Sequence, residues 1–197
     1  MFVAGSQLGT GYFRNAGQTQ RLGLELALAG QAGPLRWRTS YSLLRATFES
    51  RLQLPGGAHP DAQGAGDADG AVLDVAPGDR MPGLPAHNVK AGVDLEIAPG
   101  LELGISAIAQ SGQPFRGDEA NLLADVPGFV VLGARASYQL LDQLELFAQA
   151  ENLLDNEYET FGVIADPSQV LPDDHDPRFL SPGAPLGVWV GVALSGP

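Results

Sequence analysis

The 197-residue chain sets 23 acidic against 11 basic side chains, and its formal charge of −12 argues against phosphate recognition and so against nucleic acid as a partner. It has no cysteine, which removes disulfide frameworks and thiolate chemistry. No run approaches the ~18 apolar residues of a membrane-crossing helix, while 26 glycines and 15 prolines supply turns for many short strands.

The opening stretch MFVAGSQLGTGYFRNAG has no basic segment ahead of an apolar run and is not a signal peptide. From there on, apolar and polar residues alternate with the period of two that marks strands. In the first predicted strand, 21–29, Leu22, Leu24, Leu26 and Leu28 oppose Gly23, Glu25 and Ala27. The second runs over about 34–52 and is long enough to project beyond a bilayer; Leu35, Trp37, Thr39, Tyr41 and Leu43 oppose Arg36, Arg38, Ser40 and Ser42. The third sets Val89, Ala91, Val93 and Leu95 against Asn88, Lys90, Asp94 and Glu96, and the fourth sets Leu101, Leu103, Ile105, Ala107 and Ala109 against Glu102, Gly104, Ser106 and Gln110. In the fifth, Val130, Leu132, Ala134, Ala136 and Tyr138 oppose Gly133, Arg135, Ser137 and Gln139. The sixth opposes Leu144, Leu146, Ala148 and Ala150 to Glu145, Gln149 and Glu151, and the seventh opposes Leu186, Val188, Val190, Val192 and Leu194 to Gly187, Trp189, Gly191 and Ala193.

Short and long connections between these strands alternate. Residues 31–34, 98–100 and 141–143 leave room only for tight turns, whereas 53–86, 113–128 and 153–185 are long. Outer-membrane barrels sort their connections in this way, with tight periplasmic turns and longer outer loops. A soluble sandwich has no reason to sort loops by parity, and its strands are shorter, about five or six residues. The expected fold is therefore all-β: about seven antiparallel transmembrane strands forming part of an outer-membrane β-barrel, incomplete on its own. The parity starts the first strand on the outer side. Seven strands with two open edges would leave backbone groups unpaired in hydrocarbon, so a chain cut within a loop is expected.

Several segments resemble the TonB-dependent receptor family, in the order in which that family carries them. AENLLDNEYETFG (150–162), with Asn152 and Tyr158, is similar to the signature near the end of those barrels. YFRNAGQTQRLGLELAL (12–28), PGDRMPGLPAHNVKAGVDL (77–95), RGDEAN (116–121) and FLSPGAPLGVWVGVAL (179–194) resemble further family segments, the last the closing strand. The resemblance implies an outer-membrane transporter of about 22 strands with a plugged lumen, importing siderophore-bound iron or a similarly scarce nutrient. Its implied partners are outer-membrane lipid, the remainder of the barrel, the plug domain and the inner-membrane TonB complex. No cofactor and no enzymatic activity are implied. The family's plug and energy-coupling box are absent from these residues, and the chain ends Leu194-Ser195-Gly196-Pro197 rather than in an aromatic residue. Transport by the chain alone is therefore not expected.

On the polar faces, Arg36, Arg38 and Arg135 are lumen-facing candidates for ligand contact, with Glu25, Glu102, Glu145 and Glu151 as cross-strand partners instead. Asp173, Asp174, His175 and Asp176 offer oxygen and imidazole ligands for a metal, although a solvated acidic loop is the better account. Asp67, Asp69, Gly70 and Asp74 have a partial calcium-loop spacing but lack its terminal Glu. Arg116-Gly117-Asp118 spells an adhesion tripeptide, for which the family's loop pattern is the better account. Asn152 and Tyr158 are expected to hold a strand end and its loop. Trp37, Tyr41 and Tyr138 are placed for an aromatic girdle. Two other classes, a non-transporting barrel or surface adhesin and a soluble β-sandwich binding module, fit part of this pattern.

Overall fold

A computed structural model describes residues 2–4, 11–13, 15, 17–63, 71–167 and 176–196. Every regular element among them is a strand: β1 (Phe2–Ala4), β2 (Gly11–Phe13), β3 (Thr19–Ala32), β4 (Leu35–Phe48), β5 (Leu52–Pro55), β6 (Val72–Val75), β7 (His87–Ala98), β8 (Leu101–Gln110), β9 (Phe129–Leu141), β10 (Leu144–Glu151), β11 (Glu159–Ile164), β12 (Arg178–Pro182) and β13 (Gly187–Leu194). One antiparallel sheet of seven strands, in the order β13-β10-β9-β8-β7-β4-β3, holds all seven alternating segments read from the sequence. Each is paired to its sequence neighbour, as a meander with tight turns dictates.

Register carries the alternation across the whole sheet. Leu24 lies opposite Leu43, Trp37 opposite Val93, Val93 opposite Ile105, Ile105 opposite Ala134, Ala134 opposite Ala150, and Ala150 opposite Val188. One face is therefore apolar from edge to edge, and it is uncovered: Leu22 is 68% exposed, Ile105 64% and Val190 79%. No second layer packs on it among the described residues, which removes the soluble sandwich, since that fold closes two such faces on one another. The sheet is not closed. β3 and β13 each have a neighbour on one side only.

The tight turns are at Gly33–Pro34, Pro99–Gly100 and Asp142–Gln143. Gly33 (φ 58°) and Gly100 (φ 76°) take the left-handed conformation that a tight reversal needs and that other residues resist. Trp37 and Tyr138 are close to these turns, at one rim of the apolar face. Tyr41 is farther up its strand, stacked on His87 with its hydroxyl 2.8 Å from Nδ1.

The long connections differ from the expected plain loops. The second strand does not run through to 52: β4 stops at Phe48, where the ladder with β3 ends, and Ser50 accepts a hydrogen bond from the Gln18 N–H at 2.8 Å. The chain then leaves the sheet, and β5 pairs with β6 instead. The reason is burial. Leu54, Leu73 and Val75 pack with Phe48, Ala62 and Ala71 into a small apolar core outside the sheet. β11 and β12 likewise form a hairpin within the third connection, and β1 pairs with β2 ahead of the sheet.

The apolar face makes a direct expectation for adjacent residues of one strand. Leu26→Arg places a charge on the apolar face and is expected to cost about 2–4 kcal/mol, as for a lipid-facing strand residue near a bilayer midplane, whereas Ala27→Arg on the opposite face costs under about 1 kcal/mol. Denaturant titration of the membrane-inserted protein measures both, and equal costs would contradict the assignment of the faces.

Candidate functional site

The second face of the sheet is polar, and the three arginines singled out in the sequence all lie on it. Each is already engaged. Arg36 on β4 reaches past β7 to pair with Glu102 on β8. Arg38 donates to Asp94 on the neighbouring strand at 2.6 Å, and Arg135 on β9 donates to Glu145 on β10 at 3.0 Å. Two glycines make room for this belt: a Cβ at Gly104 would stand 2.5 Å from Asp94 Oδ1, and one at Gly92 would stand 3.1 Å from the Arg38 guanidinium. The arginine side chains are still more than half exposed, between 53% and 65%. Exposed pairs of this kind add at most about 1 kcal/mol each; they neutralise the wall and set its local potential more than they stabilise it. Two shallow depressions mark this face. One, of about 390 Å³, is lined by Glu25, Ser42 and Asn88 below Pro85; the other, of about 420 Å³, by Gln31, Arg36, Arg38 and Asp94.

The same face also carries aromatic rings, level with the ion pairs and above them, which the sequence reading missed. Phe147 lies over Gly191, and Trp189, half exposed, folds back over Gly187. Above them Phe129 meets Tyr158 at a ring separation of 4.6 Å, with Tyr158 lying over Gly183. The signal was available: Phe147 and Trp189 occupy places on the polar side of the alternation.

Asn152 and Tyr158 hold the base of the third connection. Asn152 is buried with φ 52°, and its amide donates to the Asn156 and Ala184 carbonyls, both at 3.0 Å, while its Oδ1 accepts from the Asn156 N–H at 3.1 Å. Asp155, also left-handed at φ 48°, accepts from the Leu186 N–H at 3.0 Å. The segment 152–156 thus ties the top of β10 to the start of β13.

The long connections hold a buried pair that no motif announced. His59 Nδ1 accepts the Asp61 N–H at 3.1 Å, which leaves Nε2 to donate to Asp118 Oδ1, also at 3.1 Å. Asp118 is fully buried and accepts further from the N–H groups of Leu122 (2.8 Å) and Leu123 (2.9 Å). Burial pushes its carboxyl up, but the bonds from His59, Leu123 and Leu122 outweigh that and hold it below its ordinary value. A buried Asp118 cannot be offered to a partner as an adhesion tripeptide.

Of the two metal candidates, only Asp176 and Asp74 fall among the described residues. Asp173, Asp174 and His175 lie outside the described residues, and Asp176 gives its carboxylate to Arg178, whose guanidinium holds it down at about 2. Asp67, Asp69 and Gly70 also lie outside the described residues, while Asp74 accepts from Gln53 at 2.8 Å. Among the described residues no three acidic, His or Cys side chains converge.

Comparison with known proteins agrees with this two-faced sheet. The family model "TonB dependent receptor-like, beta-barrel" matches residues 2–153. Among solved structures, the siderophore receptor PiuA from Acinetobacter baumannii superposes with a TM-score of 0.67 at 18% identity, over 89% of this chain and 22% of that one. The ferric citrate transporter FecA in its unliganded form gives 0.62 at 21% identity, over 89% and 24%. The copper transporter OprC gives 0.61 at 16% identity, over 90% and 24%. The chain thus spans less than a quarter of each. No curated protein matches it in sequence.

Two expectations follow from the polar clusters. Asn152→Ala removes three hydrogen bonds to the backbone of Asn156 and Ala184 and is expected to cost about 1–3 kcal/mol, read as faster proteolysis within 153–157 with the sheet intact; unchanged cleavage would remove the clamp. For Asp118, the folded pKa lies below the ordinary 3.8, so its stabilisation is complete above that value and is lost as pH falls through the depressed one. Amide exchange at Leu122 and Leu123, corrected for intrinsic pH dependence, should stay flat from neutrality down to about pH 4 and rise below it.

Proposed function

Since the chain belongs to the TonB-dependent receptor β-barrel family, whose members are outer-membrane transporters rather than enzymes, we propose that it forms part of the wall of a receptor importing a ferric siderophore or a similarly scarce nutrient. The observation that carries this reading is the division of one seven-stranded sheet into a predominantly apolar face and an ion-paired polar face. Lipid takes the first face and the lumen takes the second. The open edges β3 and β13 are completed by the remainder of the barrel, because hydrocarbon does not tolerate unpaired strands. In this reading a plug domain fills the lumen, and the TonB complex drives transport through that plug.

Within such a wall, Arg36, Arg38 and Arg135 serve first to neutralise Glu102, Asp94 and Glu145. Their exposed guanidinium faces remain open to an anionic ligand passing through the lumen. In this reading residues 1–197, whose sheet is open at β3 and β13, do not transport by themselves.

Uptake of radiolabelled iron supplied as catecholate, hydroxamate and citrate complexes tests the proposal in a strain from which the gene has been deleted. Loss of at least tenfold with one complex, restored by a complete barrel with its plug but not by residues 1–197, is the expected result. Unchanged uptake of all three complexes would count against iron import, and restoration by residues 1–197 alone would overturn the claim that the chain does not transport by itself.

A further inference from the structure

The three long connections are bonded to one another as closely as they are bonded to the sheet. The first and second meet at the buried His59–Asp118 pair and at a two-pronged contact in which Arg80 donates to both Asp125 oxygens, at 2.7 and 2.9 Å. Asn121, held at φ 52°, also clamps the Arg80 backbone: its Oδ1 accepts the Arg80 N–H at 2.7 Å and its amide donates to the Arg80 carbonyl at 3.0 Å. The second and third meet through a parallel bridge, with the Arg116 N–H donating to the Gly162 carbonyl (3.0 Å) and the Ile164 N–H donating to the Arg116 carbonyl (2.8 Å). Gln113 donates to the Thr160 carbonyl at 2.9 Å beside them.

Their stems are fixed as well. The returning limb of the first connection zips onto the top of β4, with the Phe48 N–H donating to Asp79 (2.9 Å) and the Met81 N–H donating to Ala46 (2.9 Å). Gln113 and Val126 exchange backbone bonds of 3.1 and 2.9 Å across the neck of the second. Asn152 and Asp155 lock the third, and the Asn156 amide adds a bond to the Val130 carbonyl at 3.0 Å. A hinge needs a place where few such bonds cross, and neither the necks nor the seams between the connections provide one.

We infer that the described parts of the three long connections form a single fixed rim keyed by Asp118, and not three separate lids. Elements bonded in this way open together or not at all. If the wall belongs to an importer, as proposed above, closure over a ligand falls to loops outside this arc. The rim itself requires no ligand and no transport, so its test is independent of that reading.

Residues 1–197 have no cysteine, so Asp61→Cys and Thr160→Cys place one pair of spin labels across the first and third connections, with any cysteine elsewhere in the receptor replaced by serine. Double electron–electron resonance on the receptor in outer-membrane vesicles should give one narrow distance distribution. Asp118→Asn should broaden it and accelerate amide exchange at least tenfold in 52–63 and 159–164 together, with β7–β9 unchanged. A broad or two-peaked distribution in the native protein overturns the fixed rim, as does an Asp118→Asn effect confined to 113–126. Should Asp118→Asn not assemble, Arg80→Gln removes the second seam between the first two connections and is held to the same readouts.

Discussion

Every backbone N–H and C=O that enters hydrocarbon must find its partner within the protein, because no water is present to take it. For a chain without a membrane-crossing helix, that constraint leaves the antiparallel ladder, and most of what is seen here follows from it. The ladder fixes the spacing of strands, and the period of two then sends alternate residues to lipid and to lumen. It also explains the apparent inversion of the molecule. Its large side chains, the leucines of β3 and the valines of β13, are uncovered on the sheet, while its compact core of Phe48, Leu54, Leu73 and Val75 is packed among connections beyond the sheet.

The lumen side answers a different demand. A wall facing water and protein needs polar groups, but isolated charges so near a bilayer would be costly, and the three arginine–carboxylate pairs resolve the conflict. Gly92 and Gly104 belong to that solution as much as the charged residues do, since a side chain at either place would displace a partner in the belt. Rings share this face with the ions: Phe147 and Trp189 stand in register with Glu102 and Arg135, Phe129 and Tyr158 lie nearer the long connections, and all but Phe129 are seated over glycines.

Above the sheet, burial organises what the ladder no longer controls. Once β4 ends at Phe48, the chain must satisfy its backbone by other means. It uses short hairpins, side-chain acceptors such as Asp118 and Asn152, and bridges between one connection and the next. Polar groups buried in this way are all paired: no side-chain nitrogen or oxygen buried among the described residues lacks a partner. A fully satisfied network is rigid because each bond removed leaves another group stranded, and this ties the chemistry of single residues to the behaviour of the whole rim.

The sequence by itself determined the seven strands of the main sheet, their faces and the alternation of tight and long connections. These are written in local patterns: a period of two over Leu22–Leu28 or Val188–Leu194, and Gly33-Pro34 or Pro99-Gly100 between them. It also placed Arg36, Arg38 and Arg135 on the polar face, and Asn152 in a motif at a strand end. Tertiary structure decided which groups meet. Arg36 finds Glu102 by reaching across an intervening strand, and His59 finds Asp118 from 59 residues away. An acidic tripeptide that reads as an exposed loop proves to be the most buried carboxylate described, and the second strand ends at Phe48 because a core awaits the residues that follow. Periodicity is a property of neighbours in the chain, whereas pairing and burial depend on segments far apart in it, so only the folded sheet and its rim could assign them.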